Sequence, residues 1–149
     1  LRTTDKPIII STGMAEREEI AKAITFLGKQ LEIMNYCVSL YPCPIWKIDL
    51  SRIKRMEEYY RKAIGFSDHT LSVELPALAV KAGAVLIEKH FTFDRNAWGP
   101  DHKTSLLPNE FKHMVELVRL AETEGESFEE EKKLWEQYRY DKSKENNNL

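Results

Sequence analysis

Four short apolar runs alternate along the chain with longer segments of helical periodicity. The apolar runs cover residues 8–10, 33–38, 63–66 and 85–87, and they are continuous rather than alternating with polar positions. Short continuous apolar runs are typical of parallel strands that are buried on both faces of a sheet. The pattern therefore predicts four buried parallel strands.

Apolar residues recur at helical spacing between these runs and after the last one. The stripes comprise Ile20, Ala23, Ile24 and Leu27; Leu50, Ile53, Met56 and Tyr60; Leu75, Leu78, Ala79 and Ala82; and Phe111, Met114, Leu117, Val118 and Ala121. Pro108 stands where the last helix should begin, and Gly83 and Gly125 stand where helices should end. The order βαβαβαβα predicts a parallel sheet with right-handed crossovers.

The spacing of the units indicates part of a larger barrel. Ser11, Ser39, Ser67 and His90 follow the four strands at intervals of 28, 28 and 23 residues, against about 31 residues for each unit of a (β/α)₈ barrel. Four strands cannot close a barrel. The expected fold is therefore α/β, four βα units of a partial TIM barrel, completed by further residues of a parent protein or by a second copy. A complete flavodoxin-type sheet of four strands is the alternative.

Composition narrows the function without naming it. The 149 residues carry a net charge of −2, with 42% hydrophobic and 31% charged residues. The sequence has neither an excess nor a run of basic residues that would attract nucleic acid. No apolar run approaches the roughly 20 residues of a membrane span. Cys37 and Cys43 without a signal peptide are typical of reduced thiols in the cytoplasm. We expect one domain over residues 1–125 and a charged C-terminal helix with a frayed tail over residues 126–149.

Two histidines follow neighbouring predicted strands. His69 and His90 should lie at the same edge of the sheet, on strands about 4.8 Å apart. Imidazole is a common ligand of manganese, iron and zinc, so the two could share an ion. Glu88 should face the same side as His90, as a ligand through water or as an orienting group. The alternatives are two hydrogen-bonded loop histidines and an ion pair of Glu88 with a neighbouring Lys or Arg.

Hydroxyl groups and one long loop extend this candidate site. Ser11, Ser39 and Ser67 at three successive strand ends could form a pocket for a phosphate or carboxylate, although each could instead cap a helix. Tyr41 follows the second strand, and Asp101 lies in the polar loop 94–103. That loop is long enough to bind a ligand, but its Gly-Pro and Asp residues also suit an ordinary turn.

Five motifs occur in an order that resembles a known family. They are Ser11-Thr12-Gly13-Met14, Tyr41-Pro42, Gly65-Phe66-Ser67-Asp68-His69-Thr70, Glu88-Lys89-His90-Phe91-Thr92 and Gly99-Pro100-Asp101-His102-Lys103. Together with residues 106–111 they resemble the N-acetylneuraminate (sialic acid) synthases and their legionaminate, pseudaminate and spore-coat relatives. The resemblance covers about residues 6–119. It implies that the four strands are strands five to eight of a (β/α)₈ barrel.

The resemblance also implies roles for the candidate residues. His69 and His90 would bind the divalent metal, usually Mn²⁺, and through it take part in catalysis together with Glu88. The three serines would contact phosphoenolpyruvate, with Ser39 in place of the Asn that some members carry. Tyr41 and Asp101 would hold the amino sugar.

The implied activity is the condensation of phosphoenolpyruvate with an N-acetylmannosamine-like aldehyde to a nonulosonic acid, with release of phosphate. The metal would polarise the aldehyde, C3 of phosphoenolpyruvate would attack it, and water would add at C2 before phosphate leaves. The expected setting is a cytoplasmic homo-oligomer. The family's remaining substrate residues belong to the other half of the barrel, so we expect this chain to be inactive alone. A non-catalytic sugar- or phosphate-binding module is the alternative function.

Overall fold

The computed structural model describes residues 4–123 and residue 137. Four strands form one parallel sheet in the order β1-β2-β3-β4, with β1 at Ile8–Ser11, β2 at Leu31–Cys37, β3 at Ala63–Asp68 and β4 at Ile87–Lys89. Consecutive strands are spatial neighbours, as expected of successive βα units. The predicted parallel sheet is therefore confirmed.

Four helices follow the four strands, as the periodicity predicted. They are α1 at Arg17–Leu27, α2 at Ser51–Tyr60, α3 at Leu75–Lys81 and α4 at Pro108–Thr123. Single 3₁₀ turns occur at Gly28–Gln30, Ile45–Lys47 and His102–Thr104. Pro108 opens α4 as predicted, and Gly83 follows α3 with φ of 101°. The predicted helix end at Gly125 lies outside the described residues, and so does the predicted tail helix of residues 126–149 apart from Gln137.

The strand ends differ from the predicted runs in a way that matters for the site. β1 continues through Ser11 and β3 through Asp68, and β4 begins at Ile87 instead of Val85. The amide of Val85 still donates to Ile64 O at 2.9 Å, so pairing with β3 starts before the regular strand does. Hydropathy marks where a strand is apolar, whereas backbone pairing continues into polar residues. Ser11, Ser67 and Glu88 are consequently strand residues.

The hydrophobic core lies between one face of the sheet and the helices. We call this the outer face. Met34 and Tyr36 of β2 and Ile64 and Phe66 of β3 point to it and are at most 2% exposed. Ile53 of α2 and Leu75 and Ala79 of α3 are among the helix residues that bury these side chains. Each fully buried side chain of this size contributes roughly 1.5–3 kcal/mol.

The opposite face, which we call the inner face, carries Ser11, Asn35, Cys37, Ser67 and Glu88, because side chains alternate along each strand. Burial on both faces, predicted for all four strands, holds for most of β2 and β3 but not for β1 and β4. Ile9 is 48% exposed, and Glu88 is also exposed. β1 and β4 are the edge strands of the described sheet and have a neighbouring strand on one side only.

No helix in the described part of the chain is both long enough and apolar enough to cross a bilayer.

Candidate functional site

Register brings the predicted residues together at the C-terminal edge of the sheet. Cys37 of β2 pairs with Ser67 of β3, and Ser67 pairs with Glu88 of β4. His69 lies two residues after Ser67, and His90 lies two residues after Glu88. The centroids of the two imidazole rings are 5.5 Å apart, and the ring planes make an angle of 80°. The parallel strands thus place both imidazoles beside each other, as the sequence predicted.

His69 is oriented by the backbone of the neighbouring strand end. Its Nδ1 lies 2.8 Å from Val38 O, and because a carbonyl only accepts, this nitrogen carries a proton. Its Nε2 lies 3.2 Å from Ser67 Oγ, whose hydroxyl donates to Glu88 Oε1 at 2.6 Å. Nε2 therefore faces an oxygen lone pair, and a cation at this nitrogen, a proton or a metal ion, would satisfy both atoms.

The donor set fits a divalent metal only in part. A backbone carbonyl bound to one imidazole nitrogen, with the other nitrogen free, is the usual arrangement of a metal-ligating histidine. His69 and His90 could supply two nitrogen ligands. Within the described residues no group of three or more His, Cys, Asp or Glu side chains is arranged around one point. The remaining ligands would have to be substrate oxygens, water or residues of another part of the barrel.

Glu88 and its neighbour Lys89 point to opposite faces, because side chains alternate along a strand. Glu88 accepts the Ser67 hydroxyl on the inner face. On the outer face, Lys89 forms an ion pair with Asp68 at 2.6 Å, and the two side chains are 1% and 0% exposed. Burial lowers the pKa of Lys89, while the Asp68 carboxylate opposes this shift. The predicted orienting role of Glu88 is compatible with its bond to Ser67.

Ser11 and Ser67 lie on the inner face of the sheet but at different levels along the strands, and Ser39 lies in the loop after β2. Ser11 is in register with Asn35 of β2, whereas Ser67 is in register with Cys37, which is two residues nearer to the histidine end of the sheet. Ser39 packs against the loop that follows β1, where a Cβ added to Gly13 would clash with the Ser39 hydroxyl. The loop holds this position because the Thr12 amide and hydroxyl both donate to Asn35 O, at 3.1 and 2.9 Å. That the serines share one anion pocket stays a prediction.

Tyr41 and Asp101 lie at the rim of the histidine pair. The Tyr41 ring is 4.2 Å from the His69 ring and 5.8 Å from the His90 ring, centroid to centroid, and the residue is 52% exposed. Partial burial raises the pKa of Tyr41, and the ionised forms of Cys37, Asp101 and Glu88 raise it further. The exposed Asp101 carboxylate is therefore close enough to act electrostatically on the phenol.

The loop that carries Asp101 is held at its base. The Thr92 hydroxyl lies 2.7 Å from His102 Nδ1, and Arg95 Nε donates to Ser105 O at 3.0 Å. The Ser105 hydroxyl donates to the carbonyl of Asp101 at 2.7 Å. These bonds fix the loop backbone while the Asp101 side chain stays exposed, which suits a group that meets a ligand.

The sequence interpretation missed Asn35 and Cys37 on the inner face. Asn35 is 1% exposed, and neither atom of its side-chain amide has a hydrogen-bond partner among the described residues. The amide occupies the space above Gly65, where an added Cβ would clash with Asn35 Oδ1. The available signal was a polar residue inside an apolar run. Partial burial raises the pKa of the Cys37 thiol.

Replacing Asn35 should stabilise the isolated chain. An unpaired buried amide costs about 1–3 kcal/mol, so Asn35→Leu, which keeps the branched shape of the side chain, should raise the free energy of unfolding by up to about that amount. Urea denaturation of the two proteins measures the difference. Asn96→Leu, at an exposed loop position, is the matched control and should change stability by less than about 0.5 kcal/mol. A loss of stability in Asn35→Leu would contradict this expectation.

Comparison with known proteins agrees with this architecture. The model of the NeuB family matches residues 1–129. The N,N'-diacetyllegionaminic acid synthase of Legionella pneumophila is 40% identical over 124 residues, which are 78% of this chain and 35% of that protein. The chain thus spans about a third of the length of the relatives it matches.

Two solved structures are similar to the described fold. The spore coat polysaccharide biosynthesis protein SpsE of Bacillus subtilis superposes with a TM-score of 0.75 at 40% identity, over 83% of this chain and 36% of the other. The sialic acid synthetase of Leptospira borgpetersenii gives a TM-score of 0.71 at 37% identity, over 81% and 44% of the two chains. The four βα units are therefore a half-barrel of the TIM type, and the chain belongs to the NeuB family of nonulosonic acid synthases.

Proposed function

We propose that this chain is the C-terminal half of the catalytic barrel of a nonulosonic acid synthase. The enzyme would condense phosphoenolpyruvate with an N-acetylmannosamine-like aldehyde and release phosphate. The observation that carries the proposal is the pairing of His69 with His90 beside Ser67, Glu88 and Tyr41 at the ends of adjacent strands. Barrel enzymes place their catalytic residues at this end of the sheet.

The two histidines would hold a divalent metal, which by resemblance to the family is Mn²⁺. When bound, such an ion polarises a carbonyl oxygen and so makes the aldehyde carbon more electrophilic. The Val38 carbonyl fixes the tautomer of His69 and aims Nε2 at the inner face. Ser67 is held by Glu88, which leaves its oxygen beside that nitrogen.

The remaining residues would bind the two substrates. Ser11 and Ser67 would offer hydroxyl groups on the inner face and Ser39 one from the loop after β2, all suited to the phosphate and carboxylate oxygens of phosphoenolpyruvate. Tyr41 offers a phenol beside His69. Asp101 offers an exposed carboxylate on a fixed loop, and carboxylates are strong acceptors for sugar hydroxyl and amide donors.

This half of the site leaves the phosphate charge largely unmet. Lys89, the lysine at the end of β4, points to the outer face and is already paired with Asp68. Charge-assisted contacts are the strong ones in phosphate recognition, so cationic groups from another part of the barrel would be needed.

The two cysteines are free, which suits a reducing compartment such as the cytoplasm.

Asp101 gives a test of the substrate assignment. In an enzyme completed with the first half of the barrel, Asp101→Ala should lower kcat/KM for the sugar by about 10- to 100-fold, the loss of one or two hydrogen bonds to a charged group. The KM for phosphoenolpyruvate should stay within about twofold, because Asp101 lies at the rim. Steady-state kinetics with each substrate varied in turn measures both values. Asp94→Ala, an exposed carboxylate of the same loop, is the control, and equal losses for both substrates would contradict the assignment.

A further inference from the structure

The ion pair between Asp68 and Lys89 lies directly behind the two histidines. Asp68 stands between Ser67 and His69 in the sequence, and Lys89 stands between Glu88 and His90. Because side chains alternate, the two charged residues point to the outer face while their neighbours point to the inner face. A single layer of backbone therefore separates the ion pair from the candidate site.

The Lys89 ammonium is bonded to the β3–α3 connection as well as to Asp68. Its Nζ lies 2.6 Å from Asp68 Oδ2, 2.5 Å from Thr70 O and 3.2 Å from Ser72 O. Asp68 Oδ1 accepts the amide of Thr70 at 2.8 Å. The ammonium thus has an acceptor for each of its three protons, and it joins β4 to the first residues after β3.

Stability alone is a weak reason for such a pair. Removing two charges from water costs free energy that their attraction offsets only when the geometry is good, and apolar side chains of similar volume commonly stabilise a protein as well. An apolar contact in the same place, however, would not fix the direction of the backbone carbonyls as hydrogen bonds do. The bonds of Lys89 set the position of the Thr70 and Ser72 carbonyls relative to β4, and they do so within a few residues of both histidines.

The backbone around the histidines is bonded on its other sides too. The carbonyl of His69 accepts the amide of Cys43 at 2.8 Å, and the carbonyl of His90 accepts the amide of Leu106 at 2.9 Å. These bonds hold each histidine to a different loop, and neither of them links His69 to His90. On the outer face, the Lys89 ammonium joins the chain segment around His69 to the segment around His90, as the Ser67–Glu88 hydrogen bond does on the inner face.

We propose that the Asp68–Lys89 pair positions His69 and His90 so that one metal ion can reach both imidazoles. The inference rests on the metal site of the proposed function and extends it to the opposite face of the sheet. Asp68 and Lys89 do not touch the ion or a substrate, and they act by fixing the β3–α3 connection against β4.

Two variants separate positioning from stability. Lys89→Met removes the three bonds of the ammonium and leaves Asp68 buried without its partner, so it should lower both stability and metal affinity. Asp68→Asn/Lys89→Met removes the unpaired charge and keeps an oxygen for the Thr70 amide. We expect the double variant to recover most of the lost stability but to keep an affinity for Mn²⁺ about tenfold weaker than wild type, a loss typical of groups that support a metal ligand from behind.

The measurement uses the 149-residue chain, with Mn²⁺ as the probe. Electron paramagnetic resonance of free Mn²⁺ gives the dissociation constant, and urea denaturation gives the stability of the same samples. Ile64→Val, a buried position nearer the other end of β3, is the control that lowers stability away from the pair. It should bind Mn²⁺ as the wild type does.

The results divide clearly. Affinity that stays weak in the double variant while its stability recovers supports the positioning role. Affinity that recovers together with stability, or that falls equally in Ile64→Val, would overturn it. A wild-type chain that fails to bind Mn²⁺ would overturn the proposed metal site and this inference with it, whereas wild-type binding with unchanged affinity in both Lys89 variants would overturn the inference alone.

Discussion

Assayed alone, the 149-residue chain should release phosphate from phosphoenolpyruvate at least about 10³-fold more slowly than the same chain combined with the first half of a related barrel. The expected size follows from the stabilisation lost when even one preorganised donor to a developing charge is removed, about 10²–10³-fold. The chain supplies hydroxyl groups and the histidine pair, but Lys89 is bound on the outer face. The charges of phosphoenolpyruvate therefore lack cationic partners on the described inner face.

The first half of the barrel can be taken from the spore coat protein SpsE, whose matching region is 41% identical over 126 residues. The two polypeptides are mixed or fused, and phosphate release is followed with N-acetylmannosamine and Mn²⁺. The same mixture carrying His69→Ala is the control for contamination. Robust turnover by the chain alone would contradict the half-barrel interpretation, and substrate binding without turnover in the completed protein would favour a non-catalytic binding module.

Substitution of either histidine should remove Mn²⁺ binding. We expect the affinity of His69→Ala and of His90→Ala to fall by more than about 100-fold, because groups that only support a ligand already account for about 10- to 100-fold. The ring separation of 5.5 Å allows both imidazoles to reach one ion. Titration followed by electron paramagnetic resonance of free Mn²⁺ measures the three affinities.

His113→Ala is the matched control for this titration. His113 lies on α4 with a side chain that is 58% exposed, away from the strand ends. It should bind Mn²⁺ as tightly as the wild type. Equal affinity in all four proteins would rule out the histidine pair as the metal site.

Much of the architecture could be read from the chain because it is local. The apolar runs located the four strands to within a few residues, and the periodicity at Ile20, Ile53, Leu75 and Met114 located the four helices. The opposite orientation of Glu88 and Lys89 followed from alternation along a strand. The approach of His69 to His90 followed from adjacent parallel strands. Each of these conclusions needs only the period of an element and the order of elements.

Other features depend on contacts between residues far apart in the sequence. The bond from His69 to Val38 O spans 31 residues, and that from Ser67 to Glu88 spans 21. The acceptors that Lys89 finds on Asp68, Thr70 and Ser72, and the unpaired amide of Asn35 above Gly65, likewise arise from register between strands.

The sequence by itself thus determined the elements, their order and the edge at which the polar residues meet, since these follow from periodicity and chain connectivity. Only the tertiary structure decided which atoms bond across strands. A shift of one residue in register would turn every inner-face side chain to the outer face. Alternating hydrophobicity normally fixes the register, but the apolar runs of these strands are continuous and therefore carry little of that information.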